Sequence, residues 1–396
     1  MSATRCVIMR GGTSKAVFLK EADLPQDEAM RKALILRIFG SPDKRQIDGL
    51  GGADPLTSKL AIIGPTRPEI ERAAGTQLTY TFGQVEIDHP DIDYLSLCGN
   101  ISSAVGAFAI YEGMVRPAEP ITTVRVYNTN LERVLTIEVP VADGRPLEAG
   151  DYVVSGVPGA GAKILIDFSD TAGGATGALL PTGNPIDRLH VEGFGEIEVS
   201  LLDIGNAHVF IRARDVGLVG TETAAEIDAK PELRALLERI RGTAAARMGM
   251  IPSPDVSREK SPATPLLGMI SPPADYHDAI HNRTIKAAES DLVSRLMFMQ
   301  QMHKTYAGTS TVCTGVAARV PGTIVHEAVL AGGEPAVPNR PEVRIGHPAG
   351  VIETEADVRL EGNGIKVRRA TLGRTARRIM EGYVFTPDGE AGPGAH

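Results

Sequence analysis

Between Cys98 and Tyr111 the chain reads CGNISSAVGAFAIY, with no charge before Glu112. A helix that is apolar or small on every side is buried all round, so the fold has to wrap it. A thiol at the head of such a helix faces the positive end of the dipole and free backbone N–H groups, which favour a thiolate and a bound anion. A small hydrophobe opening a buried helix would read the same way. Gly99 and Asn100 point toward a ligand, because glycine admits close approach to the backbone and asparagine can bond a carboxylate. A weaker counterpart, Cys313-Thr314-Gly315-Val316-Ala317-Ala318, also reads as a cysteine-led helix, limited to about two turns by Pro321.

The segments around these helices read mostly as strands. Cys6–Lys20 is strand, Gly-rich turn, strand, and a helix is expected from Asp27 to Phe39. Further strands are expected at Ser58–Ile63, Gln77–Phe82, Val85–Ile87, Thr122–Tyr127, Val134–Val139 and Tyr152–Val157. Pro158–Asn184 reads as loop and crossing region. Ala224–Met248 reads as helix broken near Pro231, Ile251–Pro265 as an exposed linker, and Ile285–Met302 as a helix with a Leu/Met stripe facing the core.

The second half repeats the phrasing of the first. Gly12–Leu19 precedes Asp23-Leu24 as Gly205–Ile211 precedes Asp215-Val216, each with a turn glycine and a small polar residue before a Val-Phe strand. A third echo, Pro55–Pro65 against Thr264–Pro273, has no lysine in the second copy. Together these predict an α+β chain made of a duplicated β-rich domain with one central helix per copy. The expected boundaries are 1–186, completed by a strand at about 376–396, and 187–375.

Composition narrows the function. A net charge of −8 argues against nucleic acid or an anionic membrane as partner. Three widely spaced cysteines do not make a disulfide framework, and no Cys/His cluster points to a metal. His277 and His281, four apart, would share a helix face but lack a third ligand. No signal-peptide core or membrane-length apolar run occurs, so a cytoplasmic protein is expected, with a homodimer as the base-rate assembly.

Lys59 alternates with Ala61 and Ile63 and so either points inward, as a base with lowered pKa, or blunts a sheet edge. Arg10-Gly11-Gly12-Thr13-Ser14 is either an anion-binding turn or a hairpin corner, and Arg283 is a weaker carboxylate candidate. No dinucleotide or phosphate-loop fingerprint is present.

Met9–Lys15, Ser58-Lys59, Cys98-Gly99-Asn100 through Ile110, His303-Lys304 and Pro321-Gly322-Thr323 together resemble the PrpF (methylaconitate isomerase) family, from Met9 to about Pro387. The resemblance implies a diaminopimelate-epimerase-like fold: two pseudo-symmetric domains, each a β-barrel-like antiparallel sheet around a central helix, with the site in the cleft between them. It implies cofactor-independent proton-shift isomerisation of an unsaturated di- or tricarboxylate such as 2-methylaconitate, aconitate or 4-oxalomesaconate. Lys59, Cys98 and Cys313 match its catalytic positions. Arg10, Gly11, Gly12, Thr13, Ser14, Ser58, Gly99, Asn100, Asn206, Arg283, Ser310, Thr314 and Gly315 are the candidate substrate contacts. A two-cysteine racemase and a non-catalytic tricarboxylate-binding helper are the competing readings. Ala16 and the loop Ala53-Asp54-Pro55-Leu56 depart from the family's pattern, which leaves the substrate open.

Overall fold

The computed structural model describes residues 2–278, 280–333, 340–361 and 364–387. The chain divides into two compact units, one running to Ile166 and resuming at Arg374, the other spanning Asp167–Gly373.

In the first unit, Ser2–Gly11 pairs antiparallel with Ser14–Lys20 and with Ala376–Thr386. Ser14–Lys20 runs parallel to Lys59–Pro65, which is antiparallel to Leu78–Val85. That strand is parallel to Ile121–Asn128, which is antiparallel to Arg133–Ala142. Parallel neighbours need a crossover, and the first is the helix Glu28–Phe39. Asp27 caps this helix by accepting from the Met30 N–H, and Gly40, at φ 72°, ends it in the left-handed region. The sheet wraps the helix Gly99–Tyr111, whose residues from Gly99 to Ile110 are all buried. Contact is close enough that a methyl group on Gly106 would stand 2.7 Å from Val139 and 3.0 Å from Ile137. Phe108 meets Phe18 with ring centroids 5.2 Å apart.

The second unit repeats this order. Gly195–Ile204 is antiparallel to Asn206–Arg212, which is parallel to Leu266–Ser271. Leu266–Ser271 is antiparallel to Leu292–Phe298, which is parallel to Glu342–His347 and that antiparallel to Gly350–Glu361. Its buried helix is Gly308–Ala317. Antiparallel, parallel, antiparallel, parallel, antiparallel is therefore the pairing sequence of both units.

Several sequence expectations are corrected. Ile285–Met302 is not a helix: Arg283–Ile285, Leu292–Phe298 and Gln301–Met302 are strands. Leu292–Met297 is buried on both faces, and a continuously buried strand carries no period that separates it from a helix. Ile251–Pro265 is not an exposed linker. It holds short helical turns at Pro254–Val256 and Ser257–Lys260, and buried Arg241 donates to the Ser261 and Thr264 carbonyls. Gln77–Ile87 makes one strand, Leu78–Val85, rather than two. Only Tyr152–Val153 of the expected Tyr152–Val157 strand forms, and the Pro158–Asn184 loop contains the strand Ile164–Asp167. His277 lies in the strand Tyr276–Asp278, while the His281 ring bonds the Asp278 carboxylate at 2.7 Å, so the two histidines share no helix face.

Candidate active site

Lys59 opens a strand paired on both sides, with Ser14–Lys20 and with Leu78–Val85. It is therefore interior, which removes the edge-strand reading, and it is only 3% exposed. Its Nζ donates to Gln84 Oε1 at 2.5 Å and stands 5.3 Å from the centre of the Phe82 ring. Burial pushes the Lys59 ammonium below its ordinary range, and the charges of Cys98, Asp54, Asp93 and Glu86 pull it partly back. Lys59 and Cys98 thus lie within electrostatic reach of each other.

Cys98 is the N-cap of the Gly99–Tyr111 helix and is half-buried. Ser102 returns both its N–H and its hydroxyl to the Cys98 carbonyl at 2.9 Å, which fixes the backbone carrying the thiol. The Gly-rich turn presses on this helix end. A methyl on Gly11 would lie 2.4 Å from the Asn100 carbonyl oxygen, and one on Gly12, at φ 48°, would lie 2.2 Å from Asn100 Oδ1. Only glycine permits that approach.

The Asn100 amide is used on both sides. Its Nδ2 donates to Thr13 Oγ1 at 3.1 Å, and its Oδ1 accepts from Arg374 Nε at 2.8 Å. Arg374 is 1% exposed, and burial pulls its guanidinium down to about 10, partly offset by Tyr152 and Cys98. A buried cation at a thiol-capped helix end is a ready partner for a carboxylate. Sequence reasoning missed it because 274 positions separate it from Asn100. Arg10 donates through Nη1 to the Gly12 and Thr375 carbonyls at 3.0 and 2.9 Å, bracing the same turn. Ser14 is buried, and its hydroxyl finds no hydrogen-bond partner among the described residues. Ser58 donates to the Val85 carbonyl and accepts from Gln46, which also ties Ser41 and Ala53 into the loop before Lys59.

The second unit carries the same clamp with its partners exchanged. Asn206, after turn residue Gly205 at φ 70°, donates to Thr309 Oγ1 at 3.1 Å. Asparagine sits on the helix and threonine on the turn in one unit, and the reverse holds in the other. Next to Thr309, Ser310 Oγ lies 2.7 Å from His208 Nε2, whose Nδ1 meets the Asn206 carbonyl at 2.9 Å. Burial lowers the His208 pKa to about 4, so the ring is neutral, donating from Nδ1 and accepting the Ser310 hydroxyl at Nε2.

Cys313 does not head its helix. The N-cap is Ala307, followed by Gly308 and Thr309, and Cys313 lies in the helix interior, fully buried. Burial pushes its thiol well above the ordinary range. Thr314 and Gly315 are interior as well: Thr314 Oγ1 meets Tyr306 Oη at 2.9 Å, and a methyl on Gly315 would strike Thr354 at 2.3 Å. Arg283 is exposed and pairs with Glu289 at 3.1 Å. Strand register completes the comparison. Ala16, two residues into its strand, pairs with Lys59, whereas His208, two residues into its own, pairs with Leu266. Among the described residues no group of three or more His, Cys, Asp or Glu is placed to hold a metal ion. No helix among them is long and apolar enough to cross a membrane.

A family model described as "PrpF protein" matches residues 1–387. The chain belongs to the PrpF family. It is 52% identical over 381 residues to a 3-methylitaconate isomerase of Eubacterium barkeri, covering 96% of each chain. It is 37% identical to a 2-methyl-aconitate isomerase of Shewanella oneidensis, again over 96% of each. A crystal structure of methylitaconate-delta-isomerase superposes with a TM-score of 0.82 at 49% identity, covering 100% of this chain and 99% of the other. A hydroxyproline epimerase of Agrobacterium vitis shares the fold alone, with a TM-score of 0.52 at 10% identity over 96% and 92% of the two chains. The diaminopimelate-epimerase-like α+β fold is thereby established, and the PrpF relatives named above are methylitaconate and methylaconitate isomerases.

Proposed function

We propose that this protein is an isomerase that moves a carbon–carbon double bond of a methyl-substituted unsaturated dicarboxylate, with 3-methylitaconate as the first substrate to test. The observation that carries the reading is the pairing, in one unit, of a buried lysine with a lowered pKa and a helix-capping thiol within its electrostatic reach.

In the proposed reaction neutral Lys59 takes the proton on the methyl-bearing carbon of 3-methylitaconate, which is activated by its own carboxylate and by the adjacent alkene. The C–H electrons form a new internal double bond, and the old alkene electrons move to the methylene carbon. The Cys98 thiol delivers a proton there, making a methyl group and a thiolate. The product is a dimethyl-substituted butenedioate of the same composition. Proton return from the Lys59 ammonium to the Cys98 thiolate resets both groups, so the proton count balances without a further reactant. Charge that builds up on the carboxylate during transfer meets fixed donors, the N–H groups at Gly99 and Asn100 and the Arg374 guanidinium. Thr13 and Ser14 on the clamped turn are proposed to orient the second carboxylate, with Arg10 holding the turn itself.

The two-cysteine racemase reading lacks support, because the residue equivalent to Cys98 in the second unit is Ala307. Proton NMR of the protein with 3-methylitaconate in D₂O, without added cofactor or metal, tests the proposal. The expected result is loss of the terminal methylene signals and growth of a methyl signal carrying solvent deuterium. Absence of exchange with 3-methylitaconate and 2-methylaconitate alike would overturn it.

A further inference from the structure

Lys59 and Gln84 face each other as a register pair across antiparallel strands, both within the sheet interior. The Gln84 amide is locked from its far side: Nε2 donates to the Ser58 carbonyl at 3.1 Å and to the Pro55 carbonyl at 3.2 Å. An amide nitrogen has two N–H donors, and both are taken by carbonyls that could not accept from an oxygen placed there. Oε1 is therefore the atom turned to Lys59 Nζ, at 2.5 Å. We infer that Gln84 is a positioning residue that holds the Lys59 amine in place with a neutral acceptor, which does not hold the ammonium proton as a carboxylate would.

The inference rests on Lys59 being the base. A neutral lysine has two N–H groups and one lone pair. Engaging one N–H fixes rotation about the Cε–Nζ bond and leaves the lone pair to aim elsewhere. An uncharged partner matters as much as a near one, since a carboxylate at this distance would hold the ammonium proton. The other ionisable groups acting on Lys59 are Cys98, Asp54, Asp93 and Glu86, and burial pushes both Asp93 and Glu86 toward their neutral forms. Extending the Leu267–Met297 register of the second unit by one residue sets Phe298 at the position that Gln84 holds in the first. The glutamine is present where the lysine is and absent where it is not.

The test is the pH profile of kcat/KM for Gln84→Glu, Gln84→Met and Gln84→Asn with 3-methylitaconate, next to Lys59→Met. Gln84→Glu is expected to move the acid limb upward by at least about one pH unit, a tenfold change in the proton affinity of the base. Gln84→Met is expected to lower kcat by about 10- to 100-fold, with KM of the folded variant within about threefold and a melting temperature lowered by the lost bonds to the Ser58 and Pro55 carbonyls. Gln84→Asn, which keeps the amide at shorter reach, should recover part of that loss. Acid limbs unmoved in every folded variant, with kcat falling only as the folded fraction falls, would overturn the inference while leaving Lys59 as base. If Lys59→Met keeps the parental rate, the base assignment fails and this inference fails with it. Should Gln84→Glu not fold, the kcat-against-KM split of Gln84→Met decides.

Discussion

The two units share one order of strand pairing, one buried helix and one asparagine–threonine clamp between turn and helix end. Three of their differences bear on the chemistry. Where the first unit has Lys59, Gln84 and a Cys98 cap, the second has Leu266, Phe298 and an Ala307 cap. The clamp survives in both because it is backbone engineering: it pins a glycine turn against helix N–H groups whatever chemistry follows. The buried lysine and the helix-capping thiol stand in the first unit only, and holding a lysine buried costs stability. What the second unit keeps buried is a neutral histidine bonded to Ser310, which orders its helix end without carrying charge.

This contrast can be broken most severely at the lysine. Lys59→Met should lower the isomerisation rate by about 10³-fold or more, while Leu266→Met, a volume-conserving change at the equivalent position, should stay within about threefold in activity. Steady-state kinetics on both variants, with melting curves to verify folding, checks the pair. A comparable loss in both would mean that the register position matters for packing and that the chemistry lies elsewhere.

A smaller effect sharpens the other side. His208 has a folded pKa of about 4 against an ordinary 6.5. A buried base kept neutral contributes stability that is full above pH 6.5 and is lost as pH falls toward 4, because the unfolded chain binds the extra proton first. The shift corresponds to at most about 3 kcal/mol. Denaturant melts at pH 7 and pH 4.5 should show a steeper loss for the parent chain than for His208→Gln. Equal slopes would mean that His208 is not held neutral by the fold.

Much of this was legible in the sequence, for identifiable reasons. The Gly99–Tyr111 helix is uniformly small and apolar, and uniformity survives any error in period or boundary. The repeated turn phrases around Gly12 and Gly205 mark the duplication because positive φ and close helix approach require glycine at both. The second helix reads as starting at Cys313 because Cys-Thr-Gly imitates the Cys-Gly-Asn phrase, whereas its actual head, Ala307-Gly308-Thr309, carries no such signal. Leu292–Phe298 reads as helix in the sequence because full burial erases periodicity. Arg374 and Gln84 carry no local signal. Arg374 reaches Asn100 from the far end of the chain, and Gln84 acquires meaning only from its register opposite Lys59.

The central claim is that the first unit's thiol, not the second's, exchanges protons with substrate. Deuterium incorporation into the new methyl group of the product formed from 3-methylitaconate in D₂O, followed by NMR for Cys98→Ala and Cys313→Ala side by side, tests it most directly. Incorporation abolished in Cys98→Ala and kept within about threefold of the parent in Cys313→Ala is the predicted result. Exchange that persists without Cys98, or that disappears from a folded Cys313→Ala variant, would contradict it.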